Sequence, residues 1–141
     1  KSIALYPSLC LLEPTVISVG RGTEMQFQIY GHPQLPETNF SFTPRPNYGS
    51  KNPKLKDQIC HGVDLRKFKN PKKIELKWLI KAYRDFPDKE SFFKEGFYRI
   101  VGNKKLKKQL ALGMNEQQIR KTWEKDIEKF KKIRKKYLIY P

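Results

Sequence analysis

The densest chemistry in the chain lies between Glu13 and Glu24, in the run Glu-Pro-Thr-Val-Ile-Ser-Val-Gly-Arg-Gly-Thr-Glu. It carries the carboxylate of Glu13, hydroxyls at Ser18 and Thr23, and Arg21 between Gly20 and Gly22, with Glu24 directly after. Glycines on both sides let the backbone turn sharply, because neither has a Cβ to clash. Such a turn displays one long cationic side chain at the rim of a sheet. A guanidinium held there suits a ligand carboxylate, which it grips with two parallel hydrogen bonds. The plainer readings are a hairpin turn whose arginine faces water, and a salt bridge from Arg21 to Glu13 or Glu24. The Gly-x-Gly is not a dinucleotide fingerprint: position 25 is Met, and a strand-like segment follows where a helix should open. His32, Cys60 and His61 have no recognised metal-ligand spacing, so no metal and no cofactor is expected. Two histidines and no further signal do not make a Ser-His-Asp arrangement.

The elements that must hold this run follow from periodicity. Residues 3–12 read as extended structure leading into a buried strand, with Pro7 at a strand start or edge. Residues 25–30 alternate apolar and polar, which predicts a half-buried strand with Met25, Phe27 and Ile29 inward. Short strands are also expected at 39–43 and 59–65, separated by a Pro-, Gly-, Asn- and Lys-rich loop over 44–57. After Pro71 the pattern turns helical. Helices are expected over 73–85 (Ile74, Trp78, Leu79, Ala82 and Tyr83 close to helical spacing), 88–95 (capped by Asp88, with Phe92 and Phe93 inward) and 103–112 (Leu106 and Leu110 inward, with Leu112 as a further candidate). Asn115 with Gln118 forms a capping-box signal for a longest helix over 115–137. Its stripe of Ile119, Trp123, Ile127, Phe130, Ile133 and Tyr137 is expected to pack inward. Strands first and helices afterwards predict an α+β fold, a small N-terminal sheet with a hairpin and C-terminal helices packed on it.

The 141 residues suit a single domain, and 38% hydrophobic with 13% aromatic content argues against disorder. No apolar run approaches the length that spans a bilayer. The chain opens on Lys and reads as a piece of a longer or processed protein, with any export signal upstream. The formal charge of +16 is uneven. Residues 1–50 balance Lys1, Arg21 and Arg45 against Glu13, Glu24 and Glu37, so the whole excess belongs to residues 51–141. A field of that size attracts polyanions, which makes a basic nucleic-acid-binding module the rival function. Against it, the excess is mostly irregularly spaced Lys, with no helix-turn-helix, zinc finger or aromatic RNA-binding signature. Cys10 and Cys60 are compatible with a disulfide in an exported protein or with two buried thiols.

Several landmarks recur in order along nearly the whole chain. Tyr6-Pro7…Cys10-Leu11…Glu13…Thr15…Ser18…Gly20-Arg21-Gly22-Thr23 comes first, then Phe27 and Gly31-His32-Pro33. Phe40…Phe42-Thr43-Pro44 and Cys60-His61-Gly62-Val63-Asp64-Leu65-Arg66 follow, and the chain closes on Ile119…Trp123…Phe130…Arg134…Tyr137-Leu138…Tyr140-Pro141. This series resembles the bacterial exo-β-N-acetylmuramidases, peptidoglycan glycoside hydrolases long known only as a family of unknown function. The resemblance is to the C-terminal domain of a two-domain enzyme. It implies an absent Rossmann-like N-terminal domain as partner and an active site in the cleft between the two. Where the family pattern reads Glu-Gly-Thr-Asn, this chain has Glu13-Pro14-Thr15-Val16, and Val16 cannot replace the hydrogen bonds of an amide.

The resemblance implies an exo-acting hydrolase of cell wall recycling that releases N-acetylmuramic acid from the non-reducing end of peptidoglycan fragments. It implies an exported, periplasmic or cell-envelope protein whose isolated fragment is inactive. Glycoside hydrolysis generally uses two carboxylates. Glu13 is the catalytic candidate of this chain; its alternatives are a group positioning the sugar or Arg21, and a turn carboxylate. Arg21, Thr23, Ser18 and Glu24 are the candidate substrate-binding residues. Arg21 has the clearest purpose, because N-acetylmuramic acid differs from N-acetylglucosamine by a lactyl ether bearing a carboxylate. Asp64 beside Arg66 reads as a strand-edge hydrogen-bonding pair. A non-catalytic peptidoglycan-binding domain is the third reading.

Overall fold

Leu5, Leu9 and Leu12 stand at helical spacing and are fully buried, and they set the start of the fold. The structure, a computed structural model, describes residues 1–140; Pro141, the last residue of the tail motif, lies outside them. It opens on helix α1 (Ser2–Leu9), continued by a 3-10 turn at Cys10–Leu12. The extended segment expected over 3–12 is therefore a helix, with Pro7 inside it. Proline removes the hydrogen bond to the carbonyl of Ile3, and Ile3 lies on the solvent side, where water can take that carbonyl. Burial of the leucine face outweighs the break.

Three strands follow: β1 (Ile29–His32), β2 (Ser41–Phe42) and β3 (Cys60–Asp64). The sheet order is β1-β3-β2 and every pairing is antiparallel, with Gly31 opposite Gly62 and Phe42 opposite Cys60. A Cβ on Gly62 would sit 1.9 Å from the carbonyl oxygen of Tyr30, so only glycine permits this approach of β3 to β1. Ile29, Phe42 and Cys60 form a buried cluster, with Met25, Phe40 and Leu55 packed against it. The expected strand at 25–30 starts later, at Ile29, because 24–28 is turn and Phe27 takes a φ of 56°.

The helix expected over 73–85 begins four residues later, as α2 (Lys77–Asp85); it buries Trp78, Leu79 and Ala82, while Ile74 stays outside it and exposed. Its far end meets the sheet through Phe86, whose ring lies edge-on to His32 at 4.8 Å. The helix expected over 88–95 does not form. Asp88 instead accepts main-chain N–H groups from Glu90 and Ser91 in a turn, and Phe93 bridges to Thr15 as extended backbone. Phe92 is buried there among Tyr83, Phe86 and Phe93, so the aromatic pair is used without a helix. A short helix, α3 (Phe97–Val101), follows.

The chain divides into two compact units, Lys1–Lys104 and the residues from Lys105 onward. The second unit is helical: α4 (Lys105–Ala111), α5 (Glu116–Lys121) and α6 (Glu124–Arg134), with a 3-10 turn at Lys135–Tyr137. Asn115 caps α5 in a full capping box with Gln118. The single helix expected over 115–137 is broken at Thr122 and Trp123. Thr122 donates its hydroxyl to the carbonyl of Ile119 and accepts from the Gln109 amide, which draws the local chain away from a continuous helix. Of the expected inward stripe, Ile119 is buried, but Trp123 is only half-buried and Ile127, Phe130 and Ile133 are exposed. The class is α+β, with a small antiparallel sheet and six α-helices among the described residues.

Candidate functional site

The Gly-Arg-Gly turn is built as its composition suggests. Gly20 and Gly22 have φ of +80° and +82°, and Thr23 N–H closes the turn on the Gly20 carbonyl at 3.1 Å. Space demands glycine as well as conformation. A Cβ on Gly20 would lie 2.6 Å from Ile29 Cγ1, and one on Gly22 would lie 2.6 Å from Pro53 Cβ. Arg21 projects from between them. Its Nε and Nη2 both reach Glu13 Oε1, at 2.9 and 2.8 Å, and its guanidinium carbon lies 4.9 Å from the centre of the Phe27 ring. The arginine is thus held from two sides, by a carboxylate and by a π face, while about half of its side-chain surface stays open. Of the readings open in the sequence, the salt bridge to Glu13 is the one the fold makes.

Glu13 stands on an arm, residues 13–17, that is fixed along both edges. On one edge the Val16 N–H donates to the Phe92 carbonyl and the Lys94 N–H to the Pro14 carbonyl, each at 3.0 Å. On the other, Lys54 reaches in from the long loop before β3. Its Nζ donates to the carbonyl oxygens of Glu13, Thr15 and Ile17 at 3.0, 2.6 and 2.9 Å. An ammonium has three protons, and each finds one carbonyl. Burial pushes this lysine down to about 8, aided by Lys94 and opposed by the nearby Glu13 carboxylate. Leu55 and Asp57, just beyond it, both take a φ of 60°. Together with Phe27 they are the non-glycine residues in the left-handed region among the described residues, and Phe27 is the one whose ring meets Arg21.

The other candidates fall in different places. Ser18 is buried; its main chain exchanges hydrogen bonds with Gly31, and its Oγ accepts from the Gly20 N–H at 3.3 Å. Thr23 Oγ1 donates to the Gly20 carbonyl and accepts from the Met25 N–H, so its hydroxyl serves the turn. Glu24 is exposed and lines an open cleft of about 380 Å³ together with Arg21, Gly22, Thr23 and Gln26. The opposite wall is Asn47, Tyr48, Gly49 and Ser50. Asp64, at the end of β3, is committed to Arg66, which holds its carboxyl below the usual range. His32 is buried, and burial with Lys54 and Lys94 nearby keeps it below its ordinary value. Cys10 and Cys60 are free thiols, and burial pushes Cys60 up to about 12. Among the described residues no group of three or more His, Cys, Asp or Glu is placed to hold a metal ion, and no helix is long and apolar enough to cross a membrane.

Lys54 and Tyr48 were not singled out by sequence reasoning. Lys54 is one basic residue among thirty Lys and Arg, in a segment read only as an exposed loop. The sole available signal was its place between Pro53 and Leu55, an apolar setting unlike that of the other loop lysines.

Comparison with known proteins covers the chain from end to end. Residues 4–140 match the family model of the C-terminal part of the exo-β-N-acetylmuramidase NamZ. The peptidoglycan β-N-acetylmuramidase NamZ of Bacillus subtilis (strain 168) is 32% identical over 162 residues, which take in 99% of this chain and 38% of that protein. The crystal structure of a DUF1343 family protein from Bacteroides fragilis NCTC 9343 superposes with a TM-score of 0.94 at 41% identity, over 99% of this chain and 40% of the other. The chain thus spans about two fifths of the length of the relatives it matches.

Proposed function

The chain belongs to the NamZ C-terminal family, and from that membership we propose that it forms one wall of the active site of an exo-acting glycoside hydrolase. The enzyme releases terminal N-acetylmuramic acid from peptidoglycan fragments, in the cleft between this domain and a Rossmann-like N-terminal domain. We infer from that substrate an exported protein of the periplasm or cell envelope whose product feeds cell wall recycling. The observation that carries the reading is the braced Arg21 at the rim of the cleft. Nε and one Nη2 proton go to Glu13, and the remaining guanidinium N–H groups are available to an incoming carboxylate. The lactyl carboxylate of N-acetylmuramic acid is such a group. Glu13 then has a positioning role: its Oε1 is spent on Arg21, and a general acid for the glycosidic oxygen comes from the other domain. Glu24, exposed on the same cleft, is free to hydrogen-bond sugar hydroxyls. Val16, which replaces the family's asparagine, supplies no such contact.

The test is kcat/KM of the full-length enzyme on disaccharides ending in N-acetylmuramic acid or in N-acetylglucosamine, wild type against Arg21→Ala. Loss of one charge-assisted contact costs about 1.5–3 kcal/mol, and the loss is expected on the carboxylate-bearing sugar alone. Arg21→Lys keeps the charge but not the planar fork and is also impaired. Equal losses on both sugars would reduce Arg21 to a structural residue of its turn.

A further inference from the structure

The wall of the cleft opposite Arg21 has no assigned role, and its geometry is specific. Residues 47–50 form a tight turn closed by reciprocal main-chain bonds, Asn47 N–H to the Ser50 carbonyl at 3.0 Å and Ser50 N–H to the Asn47 carbonyl at 3.2 Å. The Asn47 side chain adds a third, accepting the Ser50 N–H at 2.8 Å. The turn is also tied to the opposite wall. Arg45 N–H donates to the Gly22 carbonyl at 2.8 Å, and Pro53 packs on Gly22 so closely that no Cβ fits between them. The two walls are therefore parts of one framework.

At the tip of this braced turn stands Tyr48, fully exposed. It is the one aromatic residue lining the cleft, and among the described residues its ring makes no stacking, cation or hydrogen-bond contact. A tyrosine presents two flat apolar faces and a polar tip, and its few rotatable bonds make it cheap to immobilise. The rest of the lining is polar and mixed: a guanidinium, the Glu24 carboxylate, the amides of Gln26 and Asn47, and the hydroxyl of Ser50. An aromatic ring beside amides, hydroxyls and charges matches a pyranose ring, which has C–H bonds on its faces and hydroxyls around its edge. The cleft volume of about 380 Å³ suits a small ligand.

We propose that Tyr48 is the stacking platform for a sugar ring in this cleft, and that it grips the ring irrespective of the substituent that Arg21 reads. The identity of the sugar rests on the proposed function; the stacking does not. The two residues then divide the work. Tyr48 supplies affinity for any pyranose of the right size, and Arg21 supplies the preference for one bearing a carboxylate.

The experiment titrates this chain with two disaccharides, one ending in N-acetylmuramic acid and one in N-acetylglucosamine, and follows Tyr48 ring and cleft amide resonances by NMR. Loss of the ring in Tyr48→Ala is expected to weaken both ligands by the same factor, about tenfold or less. Tyr48→Phe keeps the plate and stays within about twofold of wild type on the same reasoning. Arg21→Ala weakens only the carboxylate-bearing ligand. Because Tyr48 is wholly exposed, circular dichroism and thermal melting of its variants are expected to match wild type. Unchanged affinity in Tyr48→Ala overturns the proposal, and so does the absence of ligand-induced shifts at the Tyr48 ring in wild type. If Tyr48→Ala weakens both ligands while Arg21→Ala weakens both equally, the platform stands and the carboxylate reading of Arg21 falls.

Discussion

Lys54 joins three main-chain carbonyls to one ammonium, and that arrangement makes a residue with no motif decisive for the geometry of Glu13 and Arg21. The electrostatic cost of its burial is measurable. Its 13Cε resonance should titrate near pH 8, well below the ordinary lysine value of 10.5; a midpoint at the ordinary value would mean that the side chain is solvated. The sign of the stability effect follows from counting protons. Between pH 8 and 10.5 the unfolded chain still holds this proton and the folded chain has released it. Rising pH through that window therefore favours the folded state through this group. The neutral amine has two protons for three carbonyls, so the same rise loosens the arm locally. Lys54→Met leaves three carbonyls without their donor, partly offset by removal of a buried charge, and is expected to cost about 2–4 kcal/mol in denaturant melts. Sequence reasoning could find Arg21, because two glycines advertise a special backbone at that point. Lys54 acquires its meaning only from the approach of carbonyls 37 to 41 residues away. Tyr48 was hidden for the opposite reason: a loop aromatic carries no periodicity, and its value lies in what it does not touch.

Among the elements, those read correctly had a local rule that tertiary contacts did not override. The capping box at Asn115 and Gln118 is an example, and it yields a direct test. Asn115→Ala removes the acceptor for the Gln118 N–H and should cost about 1 kcal/mol, seen as a lower Tm; no change would show that α5 is held by its other contacts alone. Strand β3 was legible from Ile59 to Leu65 because its pattern is bounded and short. Helix α1 was not. Pro7 and a dense apolar run mimic an extended segment, and the fully buried leucines at 5, 9 and 12 decide for helix only once something packs on them. The aromatic segment at 92–93 failed in the other direction. Its helical cap signal at Asp88 was satisfied by a turn, and pairing with Thr15 drew Phe93 into extended backbone.

For the whole molecule, charge and apolar exposure are unevenly shared. The N-terminal 50 residues are balanced, and the later ones carry the entire excess of +16. Salt-sensitive, sequence-indifferent attraction to polyanions follows from such a field and is no sign of nucleic-acid recognition. Helix α6 presents Ile127, Phe130 and Ile133 to solvent, although their spacing is that of a core stripe. Periodicity reports which residues share a face; it does not report whether that face is covered. The expected contrast is sharp. Ile119→Ala removes a fully buried side chain and should cost about 2–5 kcal/mol, whereas Phe130→Ala, at a residue 61% exposed, should leave the Tm of this chain nearly unchanged. A comparable loss at both positions would mean that the Phe130 face is covered in solution.

The long reach of Lys54 also has a kinetic meaning. Its bonds to residues 13, 15 and 17 close a loop of roughly forty residues, and the entropy of that closure is lost before the contact gains anything. The β1–β3 pairing joins residues 29–32 to 61–64, overlaps this span and shortens the remaining search once formed. The lysine should therefore dock after the folding barrier is crossed. In stopped-flow chevrons, Lys54→Met is expected to speed unfolding and to leave the folding limb where it was, a φ-value near zero. The arm that carries Glu13 would then be the last part of the domain to assemble and the first to come apart, opening on a timescale of its own while the sheet beneath it persists.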